Sequence, residues 1–278
     1  MREHRERKQQ VLYEAGYLSD RERSEIIAWL ETLKPIWENR YSESNPPHPG
    51  DHQRQLLRPV YWLGNWQFAC LDYYHPPEGI ENRCVKAESF PRVLQDVVDR
   101  IERKVAQNYS GGDLPARWKL NTCLVNFYGA RIEGDKETDC ARVGEHKDFE
   151  PGPVASLSLG ERALFQFVES DRRGTRGAVI LQQWLEDRSL QIFGGEKWKR
   201  RLFHRVQRVE DKMGVEIGPK IEGFRTRRIN FTFRYVPEPH IKSYHEFPAH
   251  LKRDVLPYMK QLAESSPYFA RELESGVS

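Results

Sequence analysis

Arg228-Ile229-Asn230-Phe231-Thr232-Phe233-Arg234 is the stretch on which the fold turns. Its residues alternate strictly, and on an extended strand successive side chains point to opposite faces. Ile229, Phe231, Phe233 and the following Tyr235 make an apolar face, whereas Arg228, Asn230, Thr232 and Arg234 make a polar one. A strand face with two guanidinium groups meets either water, as on a half-exposed sheet, or an anion inside a barrel. In the second case the two arginines could grip both ends of a dicarboxylate through bidentate hydrogen bonds.

Upstream, the same period of two recurs for about half of the chain. Leu120 to Tyr128, Val154 to Leu159, Ala163 to Val168, Ala178 to Leu181, Leu190 to Phe193 and Leu202 to Val209 are short and bounded by Gly, Pro or charged turns, the density expected of a sandwich or barrel. Leu124, Asn126 and Tyr128 fall on one face of their segment, offering an amide and a phenol to a shared ligand. Before Trp118 the period is helical. Ser19 and Glu22 have capping-box spacing ahead of Ile26, Ile27, Trp29, Leu30 and Leu33, and Pro35 marks the stop. A second amphipathic helix is expected from Pro91 to Asn108, a loop over Asn45 to Asp51, and a tail from Pro248 to Glu272 that is helical in pieces interrupted at Pro257 and Pro267.

The chain has 278 residues, 44 Lys+Arg against 41 Asp+Glu, and 38% hydrophobic residues, which suits an ordinary globular protein of one large domain or two small ones. It has no apolar run of about 18 residues and no apolar segment behind the charged Met1 to Gln10. A soluble intracellular protein is therefore expected, cytoplasmic or, in a eukaryotic cell, nuclear, without an obligate protein partner. Cys70, Cys84, Cys123 and Cys140 show no C-x-x-C spacing, in keeping with a reducing compartment. The net charge of +3 is uneven, with twelve Lys/Arg against five Asp/Glu from Gly194 to Arg234. These are either a basic face that tracks phosphates or ordinary solvated charges.

His146 and Asp148, one residue apart, point the same way on an extended segment. With a later His204 they would offer a metal two imidazoles and one carboxylate, the set used by non-haem iron(II) oxygenases, whose remaining positions stay open for a co-substrate and oxygen.

Taken in order, Asn126-x-Tyr128, His146-x-Asp148, Ala155-Ser-Leu-Ser-Leu-Gly160, Phe193-Gly-Gly195, His204 and Arg228-x-Asn-x-Thr-x-Arg234 resemble the AlkB family of iron(II)- and 2-oxoglutarate-dependent dioxygenases. The resemblance covers about Leu120 to Val236 and implies an α+β protein, with a double-stranded β-helix (jelly-roll-like) core and flanking N-terminal helices. It implies three parts of one structural domain: residues 1–117 as N-terminal helices and a substrate-recognition lid, 118–240 as the dioxygenase core, and 241–278 as a helical tail. By the same resemblance His146, Asp148 and His204 hold Fe(II). Arg234 and Asn126 hold the 2-oxo acid end of 2-oxoglutarate, and Arg228, Tyr128 and Asn230 its far carboxylate. With O2, 2-oxoglutarate would yield succinate and carbon dioxide, while a methyl group on a substrate nitrogen is hydroxylated and leaves as formaldehyde.

The implied substrate is an alkylated base in DNA or RNA, such as 1-methyladenine or 3-methylcytosine. Glu150 stands where base-repairing relatives carry an acid facing the base; the alternative is a solvated loop acid. Tyr61, Trp62, Trp66, Phe68, Tyr73 and Tyr74, with Arg54 and Arg58 upstream, offer rings for base stacking, although Trp62 and Trp66 suit a core equally. Phe193 and Trp184 are expected near the site. Two features depart from the family. The chain between Tyr128 and His146 is long, with Gly134 to Cys140 resembling an inserted polar loop beside the mouth, and Leu185 to Leu190 lacks the usual Gly-Asp turn. Neither touches the metal or 2-oxoglutarate residues; both leave the substrate open, with a protein side chain or small molecule as the alternative and a non-catalytic module as the remaining one.

Overall fold

In the computed structural model, residues 11–43, 46–50, 54–67, 84–169, 177–212 and 214–275 are described. With strands numbered along the chain, the larger sheet runs in space β1 (Leu12–Glu14), β11 (Ser189–Phe193), β8 (Val154–Gly160), β13 (Phe224–Arg234), β5 (Thr122–Glu133) and β2 (Val60–Leu63), with β6 (Lys136–Asp139) paired to β5. A second sheet orders β10 (Val179–Leu185), β9 (Ala163–Val168), β12 (Phe203–Gln207) and β7 (Val143–His146). A small third sheet joins β14 (Ile241–Lys242), β4 (Cys84–Lys86) and β3 (Asn65–Gln67). The first two sheets are the halves of a double-stranded β-helix, as expected.

The central strand β13 settles which way the alternation faces. Ile229, Phe231 and Phe233 are fully buried on the outside of the larger sheet, under the helices. Phe231 stacks on Phe233 at 6.1 Å and lies 6.5 Å from Trp29 of helix α1 (Asp20–Leu30). Val97, Val98, Ile101 and Val105 of helix α2 (Arg92–Asn108) join the same core. The polar face, Arg228 to Arg234, points into the space between the sheets. The expected capping box is present: Ser19 Oγ accepts from Glu22 N–H at 3.2 Å, and Glu22 accepts from Ser19 N–H at 2.9 Å.

A bulge sets the phase. Thr226 pairs with Gly129 and Arg228 with Tyr128, so Arg227 is an extra residue in β13. Gly129 is required there, because a Cβ would lie 1.8 Å from the carbonyl oxygen of Arg225. Arg227 turns to Glu161, Glu137 and Asp139, with Nε 3.0 Å from Glu161. Gly134 to Cys140 belongs to the β5–β6 hairpin that these contacts hold. It lines neither the inner cavity nor the outer groove at the site described below, so it extends the sheet instead of shaping the mouth.

The tail also differs from expectation. Helix α3 (Ala249–Ala263) continues through Pro257, while Pro267 does start a new helix, α4 (Pro267–Glu274). Burial of Val255, Tyr258, Met259 and Leu262 against the core outweighs the hydrogen bond lost at Pro257. Cys84, Cys123 and Cys140 are buried free thiols, and Cys70 lies outside the described residues. Among the described residues no helix is long and apolar enough to cross a membrane.

Because Phe231 anchors the outer face of the strand whose inner face carries the site, Phe231→Ala should lower unfolding stability by about 3–5 kcal/mol. Urea unfolding followed by circular dichroism measures this.

Candidate active site

His146 at the end of β7 stands directly opposite His204 of β12 in the strand register, and Asp148 follows two residues later. The ligating atoms of the three side chains lie within 4.8 Å of one another. His146 Nδ1 is 2.8 Å from the carbonyl oxygen of Gly144. We assign the proton to Nδ1 on that contact, which leaves the lone pair of Nε2 for a metal. His204 Nε2 approaches Asp148 Oδ2 at 3.3 Å. Burial, reinforced by repulsion from His204, pushes His146 down to about 3, so its ring is neutral. Burial opposes ionisation of Asp148, yet Arg234 and the hydrogen bond with His204 hold it well below the usual carboxylate range. Two imidazoles and one carboxylate converging on one point fit Fe(II).

Apolar rings wall the metal side. Phe165 stacks on His204 at 5.3 Å with an interplanar angle of 14°, and Phe193 stands edge-on at 5.2 Å. Phe193 is thus beside the site, as expected. Trp184 is on the exposed surface of β10 under Arg162, 4.6 Å from its guanidinium carbon.

The larger sheet supplies the other wall. Arg228 pairs with Tyr128 and Asn230 with Asn126 across β13 and β5, and all four line the cavity with Arg234. Arg228 is 3% exposed, and its Nε and Nη1 have no hydrogen-bond partner among the described residues, while Nη2 donates to Ser158 Oγ at 3.1 Å. Such a buried guanidinium fits a carboxylate. Arg234 lies at the metal end, with Nε and Nη2 each 2.8 Å from Asp148 Oδ1. Asn230 is part of the wall: its amide donates to Ser156 Oγ at 2.8 Å and Leu157 O at 3.0 Å, and its Oδ1 accepts from Thr232 at 2.9 Å.

Three expected substrate residues sit elsewhere. Glu150 is neither a solvated loop acid nor a wall of the inner cavity. Its Oε1 accepts from Gln67 at 3.0 Å and lies 3.5 Å from Arg234 Nε, so the guanidinium draws it inward. Trp62 and Trp66 are core residues and not stacking platforms: both are buried, and both indole N–H groups donate to the buried Glu38 Oε1, at 2.7 and 2.6 Å. Trp66 packs edge-on against Tyr258 and Phe269 of the tail helices, each at 6.1 Å. Tyr61 is also buried, and Phe68, Tyr73 and Tyr74 lie outside the described residues.

Two further residues hold the site, Lys199, which the sequence shows only as part of a basic run, and Arg58, which it shows only as a cation ahead of the aromatic run. Lys199 is buried in a π-helical turn (Glu196–Arg201), where its ammonium donates to the carbonyls of Glu150 and Gly152, bracing the loop that follows Asp148. Arg58, just ahead of β2, reaches into the cavity. Outside the cavity a groove of about 780 Å³ opens at His146, flanked by Arg40, Arg54, Arg58, Arg142 and Lys147. Glu145, the one acid among the described residues that line it, is paired with Arg205 at 2.6 Å. The basic segment from Gly194 to Arg234 does not form one face, since Lys199, Arg227, Arg228 and Arg234 are buried.

A metal-binding triad on the smaller sheet facing a buried arginine on the larger one is the working arrangement of an oxygenase that uses a 2-oxo acid. A family model described as the 2OG-Fe(II) oxygenase superfamily matches residues 10–234, and the chain belongs to that superfamily. Its cofactors are Fe(II), 2-oxoglutarate and O2. Similar solved structures include OsALKBH1, 20% identical over 82% of this chain and 98% of that one, with a TM-score of 0.46. The IDO of Bacillus thuringiensis is 14% identical over 84% and 94%, with a TM-score of 0.41. The non-heme alpha ketoglutarate dependent epimerase SnoN of nogalamycin biosynthesis is 12% identical over 84% and 84%, with a TM-score of 0.39. A comparison with curated proteins gave no match.

Asp148→Ala and His204→Ala should each weaken Fe(II) or Co(II) binding more than about a hundredfold, beyond the effect of losing a supporting residue, with the far-ultraviolet dichroism unchanged. Equilibrium metal titration checks this. Burial lowers Lys199 from 10.5 to about 8. The unfolded chain therefore binds the extra proton between those values, and stability gains as pH rises through that window, on the order of 3 kcal/mol. This gain should be absent from Lys199→Met when urea midpoints at pH 7.5 and 10 are compared with those of the wild type.

Proposed function

We propose that the protein is an AlkB-like oxidative demethylase acting on alkylated nucleobases, such as 1-methyladenine or 3-methylcytosine, in DNA or RNA. The observation that carries this reading is the arginine-flanked groove that ends at His146. Among the described residues Arg54, Arg142 and Lys147 line the groove beside Glu145, which is already paired with Arg205, and this suits a polyanion whose backbone lies outside while one base enters; the motif order from Asn126 to Arg234 points the same way. Fe(II), held by His146, Asp148 and His204, would supply oxidation of the methyl group with 2-oxoglutarate and O2 as co-substrates. The chain's own residues do the rest. Arg228 takes the far carboxylate of 2-oxoglutarate beside Tyr128, and Asn126 lies at the same wall. Arg234 keeps Asp148 ionised and aimed, and Phe165 and Phe193 exclude water around His204. Glu150, held by Gln67 and Arg234, supports Arg234 from behind.

The test is formaldehyde and succinate release with a single-stranded oligonucleotide carrying 1-methyladenine, against its unmethylated twin. Methylated-base loss with stoichiometric formaldehyde is expected; succinate without formaldehyde would reject this substrate and favour a protein side chain or small molecule. Arg54→Ala and Arg142→Ala should raise KM for the oligonucleotide and each lower the slope of log affinity against log salt by about 0.7–0.9.

A further inference from the structure

Arg58 occupies a position that the metal and the carboxylate clamp do not explain. Val60 of β2 pairs with Asn126 of β5, and Pro59 accepts the backbone N–H of Phe127 at 3.1 Å, so strand pairing fixes the chain one and two residues after Arg58. From there its side chain runs inward to 7% exposure. Its Nε donates to Asn126 Oδ1 at 2.7 Å, and its guanidinium carbon lies 4.9 Å from the centre of the Tyr128 ring. Arg228 lies 4.8 Å from the centre of that same ring. Two cations thus share one phenol, a contact that strengthens when desolvated. Arg58 lines both the inner cavity and the outer groove.

We propose that Arg58 is a positioning residue for 2-oxoglutarate and the partition between its cavity and the substrate groove. The inference rests on the reading of the site as a 2-oxoglutarate cavity and is independent of the nucleic-acid substrate. The hydrogen bond to Asn126 Oδ1 fixes the orientation of that amide, so its N–H groups cannot exchange places with its oxygen. The stacked guanidinium holds the Tyr128 ring against Arg228 and adds positive charge near the far carboxylate. Because the same side chain forms part of the groove wall, a ligand in the groove bears directly on the residue that orients the co-substrate wall. Lysine at this position keeps the charge but lacks both the planar stacking surface and the Nε–H.

The experiment is calorimetric titration of 2-oxoglutarate into Zn(II)- or Co(II)-loaded full-length protein without oxygen, for the wild type, Arg58→Ala, Arg58→Gln and Arg58→Lys. A loss of affinity of about tenfold or more is expected for Arg58→Ala, with only partial recovery in Arg58→Lys. Arg58→Gln covers the case in which the alanine variant does not fold, since its amide can still donate to Asn126, and it should fall between the wild type and Arg58→Lys. In turnover, the ratio of succinate to oxidised substrate should rise in Arg58→Ala as the two reactions uncouple. Unchanged 2-oxoglutarate affinity in folded variants that have lost only thermal stability would make Arg58 structural and overturn the proposal, as would a wild type that binds no 2-oxoglutarate. Weakened co-substrate binding together with no action on any methylated oligonucleotide would uphold Arg58 and reject the nucleobase reading.

Discussion

Three guanidinium groups, those of Arg58, Arg228 and Arg234, are buried around one cavity, and most of the structure follows from keeping them there. A buried charge costs several kcal/mol unless paired and hydrogen-bonded. Arg234 is matched by Asp148 and, at longer range, Glu150. Arg228 and Arg58 flank one tyrosine ring, and Nε and Nη1 of Arg228 have no protein acceptor among the described residues. Arg228 therefore presents to the cavity a positive group open to an anion. Its polarity suits a dianion, and the Arg234–Asp148 pair ties that charge to the metal triad.

The scaffold meets this constraint by turning a sheet inside out relative to common practice. In most half-buried strands the apolar face makes the core and the polar face meets water. Here the apolar face of β13 is covered by α1 and α2, and the polar face closes on the second sheet. The bulge at Arg227 is what sustains the arrangement. It sends one arginine outward to Glu161, Glu137 and Asp139 and the next one inward, so two adjacent cations are separated across the strand. Lys199 performs a related task on the loop after Asp148, where carbonyl groups leaving the sheet would otherwise lack donors.

What the sequence disclosed divides along the same line. The alternation in Arg228 to Arg234 and the order of its motifs identified the β-helix and the triad, because both depend on residues whose spacing within one strand is fixed. Contributions from outside the strands were hidden. Trp62 and Trp66 look like recognition aromatics in a run rich in rings; only the buried Glu38 between their indoles and the tail helices beyond them reveal a core. Glu150 reads as an acid facing the base or as a solvated loop acid because no local pattern announces Gln67 or the inward pull of Arg234. Arg58 lies 68 residues before its partner Asn126, and nothing in its own neighbourhood marks it as internal. The basic segment leaves a phosphate-tracking face and solvated charges equally open for the opposite reason: counted along the chain its cations form a cluster, but folding buries Lys199, Arg227, Arg228 and Arg234 and leaves others exposed.

That redistribution bears on substrate choice. The cations that line the groove come from three separate segments, around Arg40, Arg54 to Arg58, and Arg142 to Lys147, while four of the basic segment, Lys199, Arg227, Arg228 and Arg234, are buried. Charge at the mouth is thus set independently of charge around the co-substrate, with Arg58 where the two meet. The inner residues are constrained by a reaction that needs one small dianion in one orientation. The outer ones are constrained only by what is drawn toward His146. A chain built this way can alter what its mouth admits by changing a few groove arginines, without disturbing the Asp148–Arg234 pair on which the metal site depends.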